Sequence, residues 1–263
     1  MITRIITALI SLVVFGAVLA AGETVFKIAI GIVILAMLYE VYAILTKSVS
    51  VKVLGFLSSI ILMAGSYSLA PAFAALITLA MIFLVFLHGK TEYKEVFSAE
   101  FMTVYVTLFM SYILRLRSDF GLAVMGLIFV IAWGSDTFAY FCGTFFGKHK
   151  LIPKVSPKKT VEGAVGAVIC TGLLCVLYAW IMSKLGFPLG GKAASVELYL
   201  KLAATGAVGS ALSQIGDLAA SAIKRDAGIK DYGKIFPGHG GFMDRFDSVL
   251  FISPAVYYLI MFI

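Results

Sequence analysis

The sequence predicts an all-α protein embedded in a lipid bilayer, a polytopic bundle of about nine helical spans of about 20 apolar residues each. Three observations carry that reading. Hydrophobic residues make up 61% of the 263-residue chain, charged residues only 13%, and the mean hydropathy is +1.03. A soluble domain is roughly 45–50% apolar and about 25% charged, so this chain has too little charge to clothe a water-soluble surface. Apolar runs of membrane length recur from end to end, and the basic residues behind the net charge of +7 collect in the breaks between them. The same figures exclude a disordered chain. The three cysteines, Cys142, Cys170 and Cys175, lie inside apolar stretches without a CxxC pair. They read as small buried hydrophobes, not as a disulfide frame or a zinc site.

The apolar runs cover residues 5–21, 25–45, 51–69, 71–87, 96–114, 120–146, 161–182, 198–223 and 246–263. The first follows Arg4 and ends in small residues, a pattern shared with signal peptides. Its length and single basic residue favour a retained span. The second carries Glu40 late in the run; an ionisable residue there is a functional candidate by default. Its closeness to the next polar break favours the simpler reading, that it reaches water at the boundary. The third and fourth meet at a tight Ser68-Leu69-Ala70-Pro71 turn, where Pro71 suits a first helical position. His88 marks the solvated end of the fourth. Arg115 and Arg117 anchor the end of the fifth, and the sixth runs to Phe146. Residues 1–119 thus form an N-terminal group of five spans. Residues 120–263 form a C-terminal, catalytic group of four with two basic loops, 147–160 and 224–245.

Orientation follows from the basic residues. With nine spans, fifteen of the 21 Lys and Arg fall on the side that holds the N-terminus, including both long loops. Cytoplasmic segments carry the excess of positive charge. The N-terminus and both loops are therefore expected in the cytoplasm, and the C-terminus across the membrane.

The C-terminal group holds the chemistry. Asp136 sits in an otherwise apolar run, where an unpaired carboxylate costs roughly 3 kcal/mol even on the lenient insertion scale. Ser210, Ser213, Asp217, Ser221 and Lys224 fall on one stripe of the eighth helix. A lipid-facing polar stripe is untenable, so this one faces a polar cavity or other helices. Residues 221–247 then concentrate five basic side chains, four carboxylates, one histidine and five glycines. Pro237-Gly238 and Gly240-Gly241 would bring exposed N–H groups close to a phosphate. Asp244 and Asp247, spaced i, i+3, would share a helix face with Asp217 nearby, a donor set for a hard cation such as magnesium. In the other loop, Ser156 is expected to cap the seventh helix with Pro157 at its first position. That helix N-terminus would be an anion site flanked by Lys154, Lys158 and Lys159. Lys148 and Lys150 suit attraction to anionic headgroups. Phosphate-binding groups above membrane-level acids imply an interfacial enzyme acting on a phosphorylated lipid. The residues alone leave open an ion-coupled transporter or another lipid phosphotransferase, such as a polyprenol kinase.

The stretch Ser221-x-Ile-Lys224-Arg225-x4-Lys230-Asp231-x-Gly233-x2-Phe236-Pro237-x-His239-Gly240-Gly241-Phe-x-Asp244-Arg245-Phe-Asp247 resembles the pattern of the phosphatidate cytidylyltransferases, or CDP-diacylglycerol synthases. Asp136-Thr137-x-Ala139-Tyr140-Phe141 and Lys148-x-Lys150-x2-Pro153-x2-Ser156-Pro157-Lys158-Lys159-Thr160-x-Glu162-Gly163 also resemble that family, with Phe138 where a small glycine is common. The resemblance implies that CTP and phosphatidate give CDP-diacylglycerol and pyrophosphate with Mg2+, from one or two metal ions. By matched position it assigns Asp217, Lys224, Arg225, His239, Asp244 and Arg245 to catalysis. Lys154, Ser156, Lys158, Lys159, Lys230 and Asp231 fall to substrate binding, and Asp136, Asp217, Asp244 and Asp247 to metal. The expected setting is the inner membrane, multi-pass, with the site facing the cytoplasm. CTP, phosphatidate and bilayer lipid are the expected partners, with no nucleic acid, and a homodimer is a candidate assembly.

Overall fold

A computed structural model describes the backbone of residues 2–65, 69–189 and 195–263. Ser68 of the anticipated tight turn and Lys192 lie outside the described residues, as does the side chain of Arg4; Leu69, Ala70 and Pro71 are already helical, so Pro71 is the third residue of its helix and not the first. Helices α1 (Ile2–Ala20), α2 (Glu23–Leu45), α3 (Val49–Ala64), α4 (Leu69–Phe86) and α5 (Tyr93–Phe146) come first. A short hairpin, β1 (Lys150–Ile152) and β2 (Ser156–Thr160), follows. Helices α6 (Val161–Lys184), α7 (Val196–Asp226) and α8 (Met243–Met261) complete the chain. Among the described residues, α2, α5 and α6 are long and apolar enough to cross a membrane on those grounds alone; shorter apolar helices cover Leu9–Ala20, Val49–Ala64 and Ala70–Phe86. The fifth and sixth expected spans form one continuous element, α5, broken at Gly121. Its φ of 84° and ψ of 177° interrupt the helix, in a region of backbone space that glycine enters without steric cost.

Two compact units pack the chain: Met1–Ser111 with Ala227–Arg245, and Tyr112–Asp226 with Phe246–Ile263. In the first, Phe26, Ile34, Met37, Leu38 and Val41 of α2 are fully buried, as are Val51 and Leu54 of α3. A buried polar seam accompanies them. The Tyr42 hydroxyl bonds Thr103, Ser58 donates to Glu100 Oε1 at 3.0 Å, and Ser59 bonds Thr107 at 2.9 Å. Between membrane helices such pairs satisfy polar groups that hydrocarbon could not.

The second unit corrects one expectation. Residues 156–160 are not the start of a helix but an antiparallel strand, registered Lys150 to Thr160 and Ile152 to Ser156. Ser156 is therefore no helix cap, and Pro157 is not a first helical residue. Thr160 caps α6 instead, its Oγ1 accepting the Gly163 N–H at 3.2 Å. A Pro157 with no N–H sits comfortably in a strand of a two-stranded hairpin. Glu162, in the first turn of α6, accepts the N–H groups of Lys148 (3.0 Å) and His149 (3.2 Å), and its Oε1 lies 2.6 Å from His149 Nδ1. The hairpin is thus strapped to the helix it precedes. The end of α5 meets the start of α6 closely: a Cβ at Gly163 would stand 2.7 Å from the Ala139 carbonyl oxygen. Only a residue without a side chain permits that approach.

Candidate active site

The α5 terminus, β2, the start of α6 and the middle of α7 enclose a cavity of about 370 Å³. That is in the range of small-molecule sites. Asp136, Tyr140, Lys158, Lys159, Gln214 and Asp217 line it. Residues far apart in sequence converge there for identifiable reasons. The α7 stripe begins as an interhelical seam, where Ser135 and Ser210 share a 2.9 Å hydrogen bond; beside it Gln214, in the cavity lining, donates from Nε2 to the Ala164 carbonyl at 3.2 Å. One and two turns on, the same stripe reaches Asp217 and Ser221, and the Ser221 hydroxyl donates to Asp217 Oδ1 at 3.4 Å. Both readings of the stripe hold, each on its own stretch of helix.

Asp217 is also the partner of a lysine from the hairpin. Lys159 Nζ lies 2.7 Å from Asp217 Oδ2, with about a fifth and a quarter of the two side chains exposed. A half-buried pair of this kind feels less screening than a surface pair. Asp247, only 8% exposed, lies within electrostatic reach of Asp217, Lys224 and Asp136. At Gly216, a Cβ would stand 2.5 Å from Phe251 Cβ and 3.1 Å from the Asp247 carbonyl, so α7 and α8 pack closely at the level of these acids. Lys224 is 8% exposed, and Arg225 is exposed with its Nε donating to the Val155 carbonyl at 3.4 Å. Lys154 is exposed at the hairpin turn and Ser156 half-buried; neither lines the cavity.

The remaining expected residues lie on the 227–245 loop, in the other unit. Lys230, Asp231 and Arg245 are exposed. His239 sits in a tight turn where Phe236 and Gly240 pair, and its Nδ1 is buried without a hydrogen bond among the described residues. Asp244 Oδ2 accepts two backbone N–H groups, from Tyr232 at 2.7 Å and Gly241 at 3.0 Å. The Gly241 N–H is therefore not held out toward a phosphate, as the glycine pattern suggested; it is committed to Asp244. Glu40 is corrected as well. It does not reach water at a boundary: it is 3% exposed and accepts the N–H groups of Phe242 and Met243. An acid in an apolar run was the available signal, but nothing local in sequence pointed to partners about 200 residues away.

Among the described residues, no group of three or more His, Cys, Asp or Glu side chains could by itself hold a metal ion. Magnesium is commonly bound through one or two carboxylates, with water and substrate phosphates completing the octahedron. Asp217 lines the cavity and Asp247 lies within its electrostatic reach; both carboxylates are hard oxygen donors of the type such a shared site uses.

The fold is a helical one with three helices of membrane length among the described residues, and its cavity is lined by lysines and acids. The chain matches the cytidylyltransferase family over residues 2–263. It is 32% identical over 267 residues to a phosphatidate cytidylyltransferase of Staphylococcus haemolyticus, with 98% of each chain covered. It is 38% identical over 165 residues to one of Thermotoga maritima, covering 63% of this chain and 59% of that relative's length. A Bacillus subtilis phosphatidate cytidylyltransferase is 33% identical over 186 residues, 70% of this chain and 65% of the relative. The chain belongs to the phosphatidate cytidylyltransferase family and is a nucleotidyltransferase. The match does not favour an ion-coupled transporter or a polyprenol kinase.

Proposed function

We propose that this enzyme transfers the cytidylyl group of CTP to phosphatidate, with the reacting phosphates in the cavity built by α5, β2, α6 and α7. The observation that carries the assignment is the Lys159–Asp217 pair on the cavity wall, with Lys158 and Asp136 in the same lining. An anionic oxygen of phosphatidate attacks the α-phosphorus of CTP. The new P–O bond forms as the bond to the β-phosphate bridging oxygen breaks, and pyrophosphate leaves with that electron pair. The attacking oxygen is already ionised near neutral pH, so no side chain must remove a proton. The work left is to bring two anions together and stabilise the leaving group, chemistry dominated by positioning and charge. Lys159 and Lys158 hold phosphate oxygens, and Lys224 and Arg225 add positive charge at the end of α7. By matched position the 227–245 loop contributes Lys230, Asp231, His239, Asp244 and Arg245. A magnesium ion held by Asp217 and Asp247, with Asp136 as a further acid, would supply Lewis-acid stabilisation of phosphate charge; Asp244 is a metal candidate by matched position alone.

The same reading puts the protein in the inner membrane with about nine crossings, both basic loops cytoplasmic, on the positive-inside count. Reporter fusions after Lys154 and after Lys234 should score inside, and a fusion at Ile263 outside. Both loops scoring outside would reverse the assignment. The reaction is tested on purified protein in detergent or vesicles with CTP and phosphatidate. Pyrophosphate release should require both substrates and magnesium, with CDP-diacylglycerol formed in equal amount. Release without phosphatidate, or none with both present, would refute the reaction.

A further inference from the structure

Glu40 is built into the site loop from the opposite end of the chain. It lies on α2, yet its Oε1 accepts the Phe242 N–H at 3.0 Å and its Oε2 accepts the Met243 N–H at 2.9 Å. Met243 opens α8. The first N–H groups of a helix have no partner within it, and a carboxylate there also meets the positive end of the helix dipole. Glu40 is thus a cap for α8 supplied by another helix. Asp244 gathers the N–H groups of Tyr232 and Gly241, so two carboxylates hold four backbone donors of residues 232–243. The two glycines around Glu40 belong to the same device. A Cβ on Gly233 would stand 2.7 Å from the Glu40 Cδ, and one on Gly241 would overlap both of its oxygens. The loop backbone can close on this carboxylate only where it has no side chains.

We infer that Glu40 is a positioning residue for the reaction: it sets the 232–243 loop and the start of α8, and so the placement of His239, Asp244 and Arg245. This rests on the reading that the loop serves cytidylyl transfer. Among the described residues the Glu40 carboxylate accepts from the Phe242 and Met243 backbone, so its effect passes through the loop.

The variants Glu40→Gln and Glu40→Asp separate the possibilities. Gln keeps one acceptor but turns an amide donor toward a backbone donor. Asp keeps both acceptor oxygens, one methylene further back. Two readouts are taken on each: steady-state kinetics with CTP and phosphatidate, and limited trypsin cleavage at the exposed loop sites Lys230 and Lys234. For Glu40→Gln we expect loop cleavage to accelerate at least about fivefold and kcat to fall at least about tenfold. The KM for CTP should change less than kcat, and Glu40→Asp should recover part of both effects. Faster cleavage with unchanged kcat would mean that Glu40 holds the loop but the loop does not serve the reaction, which overturns the inference through the functional reading beneath it. Unchanged cleavage with unchanged kcat would overturn the role of Glu40 and leave that functional reading standing. If Glu40→Gln lowers the yield of folded protein, the two readouts on Glu40→Asp decide. Cleavage and kcat shifted together support the inference; wild-type values for both overturn it.

Discussion

Replacing Asp217 by Asn should lower turnover at least about a thousandfold while the protein still folds and inserts. Asn keeps the size and one acceptor oxygen but removes the charge that a hard cation needs. Losing such a ligand forfeits several kcal/mol of transition-state stabilisation, and each 1.36 kcal/mol is a factor of ten in rate. The substitution also leaves Lys159 without the carboxylate that lies 2.7 Å from its Nζ. Folding should survive, at some cost in stability, because the Asn oxygen can still accept from the Lys159 ammonium. Asp226→Asn, at an exposed position at the end of α7, should stay close to wild type. The measurement is magnesium-dependent CDP-diacylglycerol synthesis at matched protein levels. Near-normal synthesis by Asp217→Asn would reduce this acid to a member of the α7 seam.

The second large effect is expected at Lys159. Lys159→Gln should lower kcat/KM for CTP roughly ten- to hundredfold, the value of one hydrogen bond to a charged group, about 1.5–3 kcal/mol. Lys159 lies on the cavity wall with about a fifth of its side chain exposed, where water and salt screen it poorly. Lys158 lines the same cavity but is exposed, so Lys158→Gln should cost less. The double variant Lys148→Gln, Lys150→Gln lies outside the cavity lining and should change activity little, its effect falling on attraction to anionic lipid. Equal, small effects at all four lysines would make the hairpin a headgroup-binding segment and remove it from the nucleotide site. Lys159→Arg should restore charge without restoring full activity, because a planar guanidinium does not substitute for a compact ammonium in a fitted pocket.

Much of the site was legible because its residues are unusual for where they stand. Asp136 and Asp217 are acids in apolar helices, and hydrocarbon tolerates them only with partners or a cavity; both line the cavity. The stripe from Ser210 to Lys224 followed from helical periodicity alone. The hairpin was not legible. Ser-Pro-Lys-Lys-Thr carries a good cap residue followed by proline, and local preference read it as a helix start. The close approach of α5 and α6, together with the Glu162 bonds to Lys148 and His149, holds those residues as a strand and moves the cap to Thr160. The glycines of the 227–245 loop were legible as sites of close approach, but not what approaches them: at Gly233 and Gly241 it is Glu40.

The sequence by itself determined the helical character, the apolar runs of membrane length, the family and which acids and lysines are candidates for the site. These depend on composition, on periodicity and on residue types whose burial has a known cost. Only the tertiary structure decided that Lys159 pairs with Asp217, that Asp244 spends one oxygen on its own loop, and that Glu40 caps a helix some 200 residues away. A carboxylate can accept from any donor that reaches it, so sequence specifies the need for a partner and leaves its identity to packing.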